Sequence, residues 1–353
     1  MTKNKERNYL LLVGGLIGIL SIVLMLKGNP ANMGFCIACF LRDTAGALKL
    51  HTAPVVQYLR PEIIGLVLGS FLISLGTKEF KVRGGSSPVL RFFMGMMLAI
   101  GALVFLGCPL RMVLRMAGGD LNAWVGLIGF ILGVYAGTLY LKRGFSLGRN
   151  HGLGIAEGLA MPLFEVILLI LLLAYPATLA FSTEGPGSQH APIWLSLVIA
   201  LVVGCTAQKT RLCQAGGIRD LIMFKDATLL WGSVALFATA LVMNLIYGNF
   251  NFGFAGQPIA HTEHLWNILG LFIVGLISTL LGGCPMRQLV LAGTGNTDSA
   301  ITVLGMMIGA AFAHNFGLAS SGNGTTPAGR IATIVIIVIV LVIGLMNTRR
   351  QKA

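Results

Sequence analysis

Apolar positions along this chain fall in long continuous runs rather than in alternation. Runs of about 20 apolar residues are what an α-helix needs to cross the hydrocarbon core of a bilayer. Strands would alternate, and lipid-facing backbone must satisfy its hydrogen bonds within the segment, so the runs predict helices. Ten or so spans are expected, near 8–26, 61–77, 88–106, 122–141, 161–181, 191–205, 227–247, 264–283, 299–317 and 329–347, the sixth being short for a full crossing. The first follows Lys3, Lys5 and Arg7 in the manner of a signal peptide. Lys27-Gly28-Asn29-Pro30 behind it offers no small-residue cleavage site, so a retained span is expected.

Composition agrees with this pattern. Of 353 residues, 56% are hydrophobic and 10% are charged, where a soluble domain carries about 25% charged residues. Small residues let membrane helices approach closely, and Gly65/Gly69, Gly133/Gly137 and Gly305/Gly309 have the GxxxG spacing for it. They read as generic packing positions.

Charge supplies an orientation. With the N-terminus in the cytoplasm, 18 of the 25 lysines and arginines lie on that side. The loops holding Ser182–Ala191 and Gly248–Glu263, on the other side, have none. The positive-inside rule then predicts a multi-pass protein of the bacterial inner membrane with both termini cytoplasmic. The net charge of +13 is largely topological on this reading and asks for no nucleic-acid partner.

Two motifs occur twice. Cys36 is followed six residues later by Arg42-Asp43, and Cys213 by Arg219-Asp220. Gly107-Cys108-Pro109-Leu110-Arg111 is matched by Gly283-Cys284-Pro285-Met286-Arg287. Cys36 and Cys108 are 72 positions apart, Cys213 and Cys284 71, and the shared order and spacing indicate duplication. A first repeat over 1–141, a linking span within 142–190, a second repeat over 191–318 and a final span and cytoplasmic tail over 319–353 are expected. The single linking span would invert the second repeat, a transporter architecture with its site near mid-membrane.

The motif segments are too short and polar to span, yet too apolar for free loops. They are expected to be re-entrant short helices lining a wet cavity. Pro109 and Pro285 suit a first helical position, which puts Cys108 and Cys284 at N-caps beside the positive end of the helix dipole. Arg111 and Arg287 add full charges there, so a soft sulfur beside a cationic helix end suits a soft, sulfur-bearing anion. Cys36, Cys108, Cys213, Cys284, Arg111 and Arg287 are the candidate path. Arg42-Asp43 and Arg219-Asp220 read as ion pairs holding the re-entrant segments.

These paired motifs resemble the YeeE/YedE family of sulfur-compound transporters, over nearly the whole chain. The resemblance implies an hourglass-shaped inverted-repeat importer of thiosulfate, with Cys36, Cys108 and Cys284 matching its functional cysteines and Cys213 in the fourth symmetric place. The sequence is most similar to the YedE branch, which implies a selenium compound as cargo, and the family implies a separate TusA-like sulfur-carrier protein as a possible partner.

Cys205 has Gly28 at its matching position and reads as a small apolar filler. Met112 and Met286 read as packing. Glu165, three residues after Pro162, is expected near the cytoplasmic end of its span, where an interfacial structural role is at least as good a reading as a functional one. His314 stays undecided between packing and the path. No cofactor is expected, and no phosphate-binding loop for ATP-driven transport is present. Two rivals remain: a membrane thiol oxidoreductase using Cys36 and Cys39, and a soft-metal transporter, disfavoured by an arginine within six residues of every repeated cysteine.

Overall fold

The computed structural model describes residues 3–348; residues 349–353, part of the expected cytoplasmic tail, lie outside them. The described chain is helical apart from a two-residue ribbon, β1 (Arg83–Gly84) against β2 (His151–Gly152). The first series of helices is α1 (Lys3–Leu26), α2 (Ile37–Ala47), α3 (Pro61–Gly76), α4 (Pro88–Phe105), α5 (Pro109–Ala117) and α6 (Leu121–Lys142). Next come α7 (Ile155–Ala174) and the single turn α8 (Gly185–Ser188). The second series is α9 (Ile193–Thr210), α10 (Gln214–Phe224), α11 (Thr228–Ile246), α12 (His264–Leu280), α13 (Pro285–Gly293) and α14 (Thr297–Asn315), followed by α15 (Pro327–Met346).

All ten expected spans are helices. Eight stretches are long and apolar enough to cross a membrane, counting α5, α10 and α13 with the helices before them. The other two are α3, only 16 residues long, and α14, which opens Thr297-Asp298-Ser299 and closes His314-Asn315. Each packs along one face, α3 along α9 and α14 along α4. The sixth span is fuller than expected, since α9 runs on through Gln208 and Lys209 to Thr210.

Glycine seams join the two series. Gly14 and Gly18 of α1 meet Gly232 and Leu236 of α11, while Gly65 and Gly69 of α3 meet Leu197 and Leu201 of α9. Gly129 and Gly133 of α6 meet Ile268 and Phe272 of α12, and Gly305 and Gly309 of α14 meet Phe92 and Met96 of α4. In each case a Cβ would enter the opposing backbone, so these residues set the interhelical distance. The three GxxxG pairs all lie in such seams. Each seam is parallel, whereas α4 and α12, which occupy matching places, run antiparallel: Gly101 lies against Ile273 and Gly270 against Phe105. These two helices therefore cross in opposite directions.

The outer faces are apolar as lipid contact demands. Trp124, Ile128, Ile131 and Leu132 of α6, and Ile331, Ile334, Val335 and Val338 of α15, are exposed. The short helices α2, α5 and α13 lie inward, as does the first turn of α10, and five of the six cysteines belong to one core cluster.

Candidate functional site

All four motif cysteines stand immediately before a short helix, as N-caps in extended conformation. The expectation covered Cys108 and Cys284 only. Those two are followed by proline at the first helical position and make no side-chain cap bond. Cys36 and Cys213 do cap: their Sγ atoms accept from Cys39 N at 3.4 Å and Gly216 N at 3.3 Å.

The caps meet in pairs. Cys108 Sγ accepts from Ile37 N, the first N–H of α2, at 3.3 Å. In the second half Cys213 Sγ accepts from Cys284 N at 3.3 Å, and the Cys284 thiol donates to Gln214 Oε1 at 3.2 Å. Each site thus joins two helix N-termini and two free thiols. Unsatisfied N–H groups and the positive dipole ends point at the same sulfurs, which makes each pair a place for negative charge.

Arginine completes each pair. Arg111 is fully buried and does not snorkel; it donates to the carbonyls of Asn32 (3.2 Å), Leu106, Pro258 (3.4 Å) and Ile259 (3.3 Å), and to Cys39 Sγ at 3.8 Å. Arg287 is partly buried and donates to Gln208 Oε1 at 3.1 Å. Neither forms a salt bridge among the described residues. Gly107 and Gly283 lie under these side chains, where a Cβ would press on Arg111 and Arg287.

The other motif charges are paired. Asp43 binds Arg42 at 2.7 Å and also Arg60 at 2.7 Å, all three buried. Asp220 binds Arg219 at 2.8 Å with both side chains partly exposed, so the matching motifs differ in burial. Arg115–Asp120, buried at 2.6 Å, belongs to no repeated motif. Arg60 carried no sequence signal either; it precedes Pro61 where the chain enters α3.

Access differs between the pairs. A cavity of about 500 Å³ opens on the face that holds the N-terminus and reaches Cys213 and Arg287, with Lys3, Arg211, Arg219 and Asp226 around it. Thr228 donates to the Asp226 carboxylate from its hydroxyl and its backbone, and Lys3 lies 3.1 Å away, which together draw that carboxyl down to about 2. On the opposite face a cavity of about 280 Å³ is lined by Asn29, Asn32, Asn249, Asn251 and Pro258. It does not reach Cys36 or Cys108, which stay buried behind Arg111 and its carbonyls.

Glu165 is not at a span end. Helix α7 starts at Ile155, so Glu165 sits at its middle, 1% exposed, with both oxygens lacking a hydrogen-bond partner. A buried carboxyl that makes no bond contributes nothing its amide would lose, so Glu165→Gln is expected to leave thermal stability in detergent unchanged. A clear drop in melting temperature would reveal a partner for it. His314 stacks on His51 at 4.8 Å, away from both thiol pairs, and Cys205 Sγ donates to Gly69 O at 3.1 Å in the α3–α9 seam. Among the described residues no group of three or more His, Cys, Asp or Glu side chains has metal-holding geometry.

Residues 209–349 match the sequence profile of the Sulphur transport family. The chain is also 30% identical over 118 residues to the thiosulfate transporter TsuA of Spirochaeta thermophila, an alignment covering 33% of this chain and 35% of that relative. Both support the YeeE/YedE family of sulfur-compound transporters. The family profile takes in the Cys213–Cys284 pair, Arg287 and helices α10 to α15. The matched stretch spans about a third of the TsuA chain.

Proposed function

We propose that this protein carries a small sulfur- or selenium-bearing anion across the membrane through the two thiol pairs. The observation that carries the reading is the repeated unit itself: two helix N-termini, two thiols and one arginine without a carboxylate partner among the described residues. Soft sulfur contacts select a soft atom, while the dipoles and guanidinium hold the charge. Carriage of thiosulfate by a relative supports this class of cargo. The YedE resemblance favours a selenium compound.

Residues 1–141 and 191–318 act as inverted repeats around a linking span within 142–190, and the last span and tail lie in 319–353. The lysine and arginine bias argues for cytoplasmic termini in a bacterial inner membrane. The cavity at Cys213 is then the cytoplasmic vestibule and the path is inward: Cys36 and Cys108 with Arg111 receive the anion, and Cys284 and Cys213 with Arg287 release it. Movement is channel-like, drawn by consumption of the cargo inside, and a TusA-like carrier is the kind of protein that would take it up there. Strict dependence of counterflow on a proton or sodium gradient would overturn the channel-like part.

The test is uptake of labelled thiosulfate and selenite by cells lacking other importers, comparing wild type with Cys108→Ser and Cys284→Ser. Uptake of either compound only with the wild-type chain is expected and names the cargo. No uptake of either by folded wild-type protein would overturn the reading. A redox role for Cys36 and Cys39 would then come forward, since Cys39 N donates to Cys36 Sγ and Arg111 reaches Cys39 Sγ.

A further inference from the structure

The two thiol pairs are not chemically equal. Helices α2 and α10 both have 11 residues and both begin right after a capping cysteine. The residue behind Cys36 is Ile37, fully buried; the residue behind Cys213 is Gln214, 3% exposed. An apolar side chain at one pair is thus replaced by an amide at the other.

That amide is half used. Gln214 Oε1 accepts a hydrogen bond from the Cys284 thiol at 3.2 Å, while Nε2 is buried with no acceptor among the described residues. A buried donor left unpaired is costly and is rarely kept without a use. Gln214 also lines an apolar cavity of about 220 Å³ with Met112 and Met116 of α5, so it lies between its own thiol pair and the helix that Cys108 starts. A second amide holds the arginine of this motif: Gln208 Oε1 accepts from Arg287, whose guanidinium has no carboxylate partner among the described residues. Arg111, three positions after Cys108, is held by backbone carbonyls and Cys39 Sγ instead.

We propose that Gln214 is the specificity-determining residue of the Cys213–Cys284 pair and selects anions that carry oxygen beside their soft atom. The inference rests on the transport reading above. The soft atom sits against the two thiols, and Gln214 Nε2 donates to an oxygen of the same anion, with Arg287 opposing its charge. An anion with exposed sulfur and no oxygen leaves Nε2 unpaired and is disfavoured at this pair. A site built to hydrogen-bond its ligand rejects analogues lacking the bonded group for this reason.

The experiment uses the full chain in proteoliposomes. Uptake of labelled thiosulfate, or of selenite if that is what the wild type takes, is measured with and without thiocyanate, a sulfur-bearing anion without oxygen. In the wild type thiocyanate is expected to compete poorly. In Gln214→Leu the KM for the labelled oxyanion is expected to rise about 10-fold while thiocyanate inhibition stays where it was, so the preference falls about 10-fold. Gln214→Met, matched more closely in length, is expected to do the same and serves where the leucine variant does not insert. A purely structural role would lower the amount of active protein and leave the preference alone. An unchanged preference in a folded variant overturns the inference while the transport reading stands. Wild-type protein that moves neither oxyanion overturns both.

Discussion

Cys108→Ser and Cys284→Ser are each expected to lower uptake on the order of 100-fold, the scale of one lost recognition contact in a closely fitted site. Serine is a better N-cap than cysteine, so the helices these residues start should form at least as well. The loss would therefore fall on transport, which makes the pair of variants a clean separation of sulfur chemistry from folding. Oxygen is smaller and harder than sulfur, and it cannot offer the soft surface on which the cargo's sulfur or selenium would slide. Cys205→Ser is the control: its thiol donates to a carbonyl in a helix seam, a bond a hydroxyl can keep, and uptake should hold. Melting temperature and uptake measured on the same preparations check both halves. Serine variants that transport normally would remove the thiols from the mechanism. In the rival redox reading, Cys39→Ser would be as severe as Cys36→Ser.

The helices were legible in the sequence because an apolar run of span length has few other uses. Their ends were less so. The apolar run of the sixth span gives out at 205, yet the helix continues through Gln208 and Lys209 to Thr210. Helix α7 starts six residues before the expected span, which moves Glu165 from the edge of the apolar run to the centre of the helix. The repeated cysteines were legible from spacing alone. That Cys36 and Cys213 would also be caps was not, because cysteine is absent from the usual cap residues and no proline follows them. Arg60 lay outside every motif, and only the fold brings it to Asp43 across 17 positions. Gln214 was visible in principle: aligning the two Cys-x5-Arg-Asp segments sets it against Ile37, a polar-for-apolar exchange inside an otherwise repeated pattern.

The two Arg-Asp motifs, alike in sequence, should differ sharply under mutation. Asp43→Ala is expected to destabilise the protein by about 3–5 kcal/mol, since it strands two buried arginines. Asp43 accepts from Arg42 at 2.7 and 2.9 Å and from Arg60 at 2.8 Å, and all three side chains are shut off from water. Arg60 in turn donates to Pro186 O and Gln189 O and lies over the Phe40 ring at 4.6 Å. One carboxylate thus ties α2, the start of α3 and the loop before α9. Among the described residues the Asp220 carboxylate binds only Arg219 beside it, with side chains 20% and 28% exposed, so Asp220→Ala should cost no more than about 1 kcal/mol. Thermal unfolding in detergent of the two variants side by side decides it; equal losses would mean that the buried knot is not what holds α2. The functional consequence follows from position. Helix α2 starts at the Cys36 cap and carries the knot about two turns on, so loosening Asp43 should misplace Cys36 and Ile37 N and depress uptake by whatever protein still folds. Asp220→Ala leaves the Cys213 cap on Gly216 and Cys284 intact and should transport near the wild-type rate.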